Sequence, residues 1–168
     1  MRQPDDPDAY ACLHRDFRWQ VPADFNIAVA CSARWARSRR TAIRWETQSR
    51  AQGTLSYREL GAQSRRLAAA LRRLGVQPGS RVAVVMPQRP EVAVAHMAVY
   101  SLGAVAMPLS VWFGPDALEY RLQDSGACVA IVDEGAIANL QGVRAACPAL
   151  RSVIAVDGEH GQGQGDID

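Results

Sequence analysis

Phosphoryl and acyl-transfer chemistry at neutral pH calls for placed cations, a general base or a nucleophile, and this 168-residue sequence supplies them sparingly. All 19 of its basic residues are arginine; it contains no lysine. Arg34, Arg37, Arg39 and Arg40 form a cluster that could contact a phosphate, but they fall near the end of a helix expected after Asn26. There, cations complement the helix dipole and remain solvated. A dinucleotide site places G-x-G-x-x-G between the first strand and its helix, because only glycine lets a pyrophosphate reach the backbone. The corresponding turn here reads MPQRPE, without glycine, and the GQGQG run at 161–165 has no strand closely before it and no helix after it. His96 has no carboxylate or second histidine three or four residues away and reads as a half-buried structural histidine. His14 and His160 lie in polar termini, and Cys12 beside His14 lacks the second ligand pair that a metal site needs. No catalytic residue, metal ligand or cofactor-binding residue is therefore assigned.

Two further groups invite a functional reading. Tyr57, Arg58 and Glu59 follow Ser56, and the S-x-x-E spacing of Ser56 and Glu59 is explained by a helix capping box. The VWFG run at 111–114 places two aromatics in a strand-to-helix connector. Such a pair suits an interface or a core contact better than a ligand pocket.

The elements that would position these residues follow from periodicity. Residues 1–22 read as a polar arm whose aromatics Tyr10, Phe17 and Trp19 would pin it to the body. Ile27, Cys31 and Trp35 recur every four residues and define the apolar face of a helix capped by Asn26. TAIRWE at 41–46 alternates like a strand, and a turn leads to a second strand near Thr54. The next helix starts at the capping box and buries Leu60, Leu67, Leu71 and Leu74. Arg65, Arg66, Arg72 and Arg73 face solvent, and Gly75 ends it. Apolar strands are expected at 81–87, 104–109, 128–132 and 152–156. The helices between them open at Pro90, Pro115 and Gly135, the second stopping near Gly126. Apolar runs on both faces of successive strands imply parallel β-α-β units with helices on both sides of the sheet, an α/β fold. Residues 23–157 form this segment, and the Gly-rich run 158–168 reads as an exposed linker.

The bulk properties bound the partners. A net charge of +2 gives no electrostatic reason for a nucleic-acid partner, and the arginine excess reads as compositional bias. The dispersed cysteines Cys12, Cys31, Cys128 and Cys147 read as small hydrophobes in a reducing compartment. No apolar run reaches the roughly 18 residues of a membrane span, and a cytoplasmic location is expected.

The order LSYREL, a long Arg/Leu/Ala helix, GVQPGSRVAVVMPQRPE, YSLGAVAMPLS and ALEYRLQDSGA resembles the opening segment of the acyl-adenylate-forming enzymes, the AMP-dependent synthetase and ligase family. The likeness covers roughly residues 16–158. LSYREL looks like the family's first core motif and YSLGAVAMPLS like its second. FNIAVACSARWA and FGPDALEYRLQDSGA resemble the acetyl- and medium-chain acyl-CoA synthetase branch.

The resemblance implies a parent reaction in which an acid and ATP give acyl-AMP and pyrophosphate, followed by thiolysis by CoA, with Mg2+ offsetting polyphosphate charge. It also implies that the chemistry-bearing parts, a Ser/Thr/Gly-rich loop ending in lysine and a second lysine in a mobile domain, lie in later sequence. Some family members bind a CoA phosphate through arginine just after a DEG-like turn. Asp133, Glu134 and Gly135 resemble that turn, but Ala136, Ile137, Ala138 and Asn139 follow it. Three readings stay open: the N-terminal part of an acyl-CoA synthetase, inactive alone and partnered by the remainder of the enzyme; a non-catalytic module that docks on such an enzyme or self-associates through apolar surface; and an independent nucleotide- or CoA-binding domain.

Overall fold

Local chemistry sets most of the element boundaries in the computed structural model, which describes residues 8–47 and 49–156. Among these the order is α1 (Ala9–Asp16), α2 (Ile27–Cys31), a 3-10 turn (Ala33–Trp35), β1 (Thr41–Glu46), β2 (Gln52–Ser56), α3 (Tyr57–Arg73), β3 (Arg81–Val85), α4 (Pro90–Ser101), β4 (Val105–Leu109), α5 (Pro115–Ser125), β5 (Val129–Asp133), α6 (Glu134–Arg144) and β6 (Ser152–Val156). The capping box opens α3: the Glu59 amide donates to Ser56 Oγ, and the Ser56 amide donates to Glu59 Oε2 at 2.8 Å. Gly75 closes the same helix in the left-handed region, with its amide on the Arg72 carbonyl and the Val76 amide on Leu71, a Schellman pattern. Pro90 and Pro115 stand at helix starts, and Gly126, at φ 61°, is the C-cap of α5.

β3 to β6 form one parallel sheet in the order β4-β3-β5-β6, while β1 and β2 pair antiparallel as a separate hairpin. Because side chains alternate along each strand, the sheet feeds two cores. Val82, Val84, Val129, Ile131 and Ile154 pack with Leu71 of α3 and Ala95, Ala98 and Val99 of α4. Ala83, Val85, Ala130, Val132, Val153 and Ala155 pack with Leu118 and Leu122 of α5 and Ile137, Leu140 and Val143 of α6. Helices thus cover both faces, as the two-faced apolar strands require. The hairpin packs through Leu55 against Leu60 and Val94.

Several expectations are corrected. α2 ends at Cys31 and the chain tightens into a 3-10 turn, so Ile27, Cys31 and Trp35 do not form a buried face. Ala28 and Ser32 are the buried residues, while Ile27 and Trp35 are exposed. Small residues face inward because α2 lies close to α4, where Asn26 both caps α2 and donates from Nδ2 to the Tyr100 carbonyl at 2.8 Å. Arg34, Arg37, Arg39 and Arg40 consequently lie beyond the last turn of α2, exposed on the way to β1. Tyr10, Phe17 and Trp19 do not pin the arm: all three are exposed, Phe17 and Trp19 meet edge to face, and no residue of α1 is buried. Cys31 is exposed rather than packed as a hydrophobe.

β4 is apolar, yet it is an edge strand with Val105 49% exposed. The Val105 amide bonds the Ser80 carbonyl ahead of β3, so the alternate residues Ala106 and Pro108 turn their backbone outward. Pro108, which has no N–H, thereby costs the ladder nothing. The run 158–168, with His160, lies outside the described residues.

Candidate functional site

In open α/β sheets, ligands sit beyond the carboxyl ends of the strands, where the winding direction reverses. Here the chain leaves β3 through α4 to reach β4 on one side, then returns through α5 on the opposite face to place β5 on the other side of β3. The reversal lies between β3 and β5. Its walls are residues 86–89 after β3 and 133–135 at the start of α6, with the connector 110–114 beyond the end of β4.

Met86, Arg89, Asp133, Ser110 and Phe113 in these loops are engaged in holding the fold. Met86 is buried. Arg89 Nε donates to Glu91 Oε2 at 2.7 Å, an ion pair across the first turn of α4. Asp133 Oδ1 accepts from the Ala136 amide at 3.2 Å, so this carboxylate is the N-cap of α6. Ala136 and Ile137, in the stretch where the resemblance implies a phosphate-binding arginine, are buried in the core below. In the connector, the Trp112 amide donates to Ser110 Oγ and the Phe113 amide to the Ser110 carbonyl. Phe113 packs on the core under the Arg121 guanidinium, 4.2 Å from its ring centroid, whereas Trp112 is 91% exposed. Only one of the two aromatics is therefore exposed.

The remaining candidates lie elsewhere. His96 is half-buried on α4 and stacks on Tyr100. Its Nε2 is buried without a hydrogen-bond partner, and burial lowers its pKa below the ordinary histidine value. Glu59 has its pKa lowered by the Ser56 hydroxyl and then by the Ser56 amide, which identifies it as a capping carboxylate rather than a base. Cys147 is buried, and burial, then the charge of Glu119, raises its thiol pKa, opposite to what a nucleophile needs. Two shallow hollows border the hairpin, of about 440 Å³ beside Trp45 and Gly53 and about 520 Å³ beside Arg39, Arg58 and Glu59. Neither is lined by the loops at the carboxyl end of the sheet.

The donor set does not fit Mg2+ and a polyphosphate. The sequence has no lysine, Arg89 is paired with Glu91, Asp133 is committed to a helix cap, and among the described residues no three His, Cys, Asp or Glu side chains converge. Sequence reasoning missed the Arg89–Glu91 pair, although the R-P-E spacing carried the signal: a proline at the first helical position fixes the turn that brings the two side chains together.

Fold and loops together define a doubly wound α/β lobe, a four-stranded parallel sheet covered by helices on both faces. The family model of AMP-binding enzymes matches residues 32–166, most of the chain. The chain belongs to that family. It is 35% identical over 151 residues to acetyl-coenzyme A synthetase 2 of Pseudomonas putida, covering 83% of this chain and 23% of that protein. It is likewise 35% identical over 150 residues to acetyl-coenzyme A synthetase of Nostoc linckia, covering 82% and 44%. Among solved structures, the acyl-CoA synthetase of Brucella canis superposes with a TM-score of 0.74 at 26% identity, covering 86% of this chain and 26% of that one. The chain thus spans between about a fifth and less than half of the curated relatives it matches. No described helix is long and apolar enough to cross a membrane.

Proposed function

We propose that this chain builds one lobe of the large adenylating domain of an acyl-CoA synthetase, in the cytoplasm. It would supply framework rather than chemistry to the conversion of a carboxylic acid, ATP and CoA into acyl-CoA, AMP and pyrophosphate. The observation that carries the reading is the use made of the loops at the carboxyl end of the sheet, where Arg89, Asp133 and Ser110 each satisfy a neighbouring group of the fold. Transition-state stabilisation in such a reaction comes from donors aimed at developing charge, and side chains already bonded to the scaffold do not provide it. ATP, Mg2+ and CoA are cofactors of the whole reaction, and polypeptide equivalent to the remaining length of the relatives would hold them.

The non-catalytic docking module is a second reading, supported by the exposed apolar residues between Tyr10 and Trp35. It makes the same demand on the surface of this chain. Calorimetric titration of the purified chain with MgATP and, separately, with CoA tests both readings against an independent nucleotide-binding domain. No saturable heat up to millimolar ligand is expected, whereas one-to-one binding at micromolar concentration would favour the binding domain.

A further inference from the structure

We propose that the hollow between Arg39 and Arg58, beside the β1–β2 hairpin, is a binding site for a phosphate group, carried by inorganic phosphate or by a small phosphomonoester. Its lining, Arg39, Thr41, Thr54, Ser56, Arg58 and Glu59, surrounds about 520 Å³ and comes from two segments that meet only through the fold. Backbone bonds bring them together. The Arg58 amide donates to the Ser38 carbonyl at 2.9 Å and the Tyr57 amide to the Arg40 carbonyl at 3.0 Å, which ties residues 38–40 to the start of α3. These bonds use the first amides of the helix, so an anion here is held by side chains and not by the helix terminus. Thr41 stands opposite Ser56 in the hairpin register, and Thr54 lies two residues before Ser56, so the three hydroxyls share one face of the hairpin.

Most of this lining is not committed to the fold. Among the described residues neither the Arg39 nor the Arg58 guanidinium donates a hydrogen bond or closes an ion pair, and the Thr41 and Thr54 hydroxyls have no protein partner. Arg89, at the carboxyl end of the sheet, is by contrast held by Glu91. Glu59 is the one acid in the hollow, and its Oε2 already accepts from the Ser56 hydroxyl at 2.6 Å and the Ser56 amide at 2.8 Å. The surrounding charge has the same sign. Residues 34–58 contain seven arginines and one acid, Glu46, a net of +6 in a chain whose remainder sums to −4. Glu46 is itself engaged by Arg50 and Gln52, each at 2.8 Å. The near-neutral total therefore conceals a basic segment, and the fold gives that segment a concave lining. Two guanidinium forks beside hydroxyl donors match an anion with several acceptor oxygens, which phosphate supplies. The inference stands independently of the lobe reading.

The test is a titration of the purified chain with sodium phosphate and, separately, with glycerol 3-phosphate, followed by the nitrogen-15 resonances of the arginine Nε–H groups. Sodium chloride at matched ionic strength is the reference. Because both arginines are exposed, half-saturation is expected at about 10 mM, above the range of the MgATP and CoA titrations. Arg39 and Arg58 should shift together and saturate, while Arg73, in the last turn of α3, should not. Arg39→Gln or Arg58→Gln should weaken binding at least about fivefold, whereas Arg73→Gln, with the same loss of charge, should change it less than about twofold. Glu59→Gln keeps a residue able to complete the capping box and removes the one negative charge of the lining. It should keep its melting temperature and bind about threefold more tightly. Similar midpoints for the two ligands assign the hollow to the phosphate group alone, and a tighter midpoint for glycerol 3-phosphate assigns it to a phosphomonoester; both support the site. Equal shifts in sodium chloride, or shifts that grow without saturating, would mean an adventitious ion only and overturn it. Equal weakening by Arg73→Gln, or weaker binding by the folded Glu59→Gln variant, overturns it as well.

Discussion

Leu71 on α3 and Leu140 on α6 are both fully buried, on opposite faces of the parallel sheet and in separate clusters. Truncating either to alanine removes the same atoms from a closely packed core, at a cost of about 3 kcal/mol within a general range of roughly 2–5. Residues that share no partner usually combine additively to within about 0.5 kcal/mol, whereas residues in one cluster couple more strongly. The two-core architecture therefore predicts that the double variant Leu71→Ala, Leu140→Ala loses about 6 kcal/mol, the sum of the singles. That loss approaches the whole stability of a domain, about 5–15 kcal/mol. The cycle is best measured by urea unfolding followed by far-ultraviolet circular dichroism, with trimethylamine N-oxide present to keep the double variant in range. A coupling above about 1 kcal/mol would mean that the two leucines share one core, and a cost below about 1 kcal/mol for either single would mean that its face is not packed.

The remaining predictions concern local devices. Ser56→Ala removes the α3 cap and should cost about 1 kcal/mol, with faster amide exchange at Glu59; unchanged exchange there would contradict the capping box. His96 carries a pKa lowered by burial, so the unfolded chain binds its proton more readily. Stability should therefore fall as pH drops below the ordinary histidine value of about 6.5, and His96→Gln should flatten that slope; a slope retained in the variant would assign it to another group. Gly126→Ala forces a side chain into the left-handed region, 2.9 Å from Arg81 Nη2, beside the bond from Arg81 Nε to the Ser125 carbonyl. It should cost at least about 1–2 kcal/mol in thermal unfolding, and a neutral result would contradict the backbone conformation assigned there.

The parts of the fold legible in the sequence were those written in local chemistry. Ser56 and Glu59, Pro90, Pro115, Gly75 and Gly126 mark helix ends through their own donors, ring or φ, and the structure puts the ends there. Periodicity was weaker evidence, because it defines a face without saying which way that face points. The Ile27–Cys31–Trp35 spacing is real, but close approach to α4 admits only Ala28 and Ser32, and the larger residues turn out. Strand position within a sheet was hidden in the same way, since β4 is as apolar as its neighbours and only Pro108 hints at an edge. At the sheet's carboxyl end the sequence revealed what was missing more readily than what was present. Its lack of lysine was plain, whereas the pairing of Arg89 with Glu91 and the clamping of Phe113 under Arg121 depend on how turns bring side chains together.

The central claim, that this lobe shapes an adenylating domain without carrying its chemistry, is tested most directly by acid-dependent exchange of labelled pyrophosphate into ATP. The assay uses the purified chain with Mg2+ and, in turn, acetate and a medium-chain acid. The account predicts exchange no greater than that of a heat-killed control. Exchange above that control, dependent on the added acid and retained after removal of contaminating enzyme, would show that these residues assemble a working site and would contradict it.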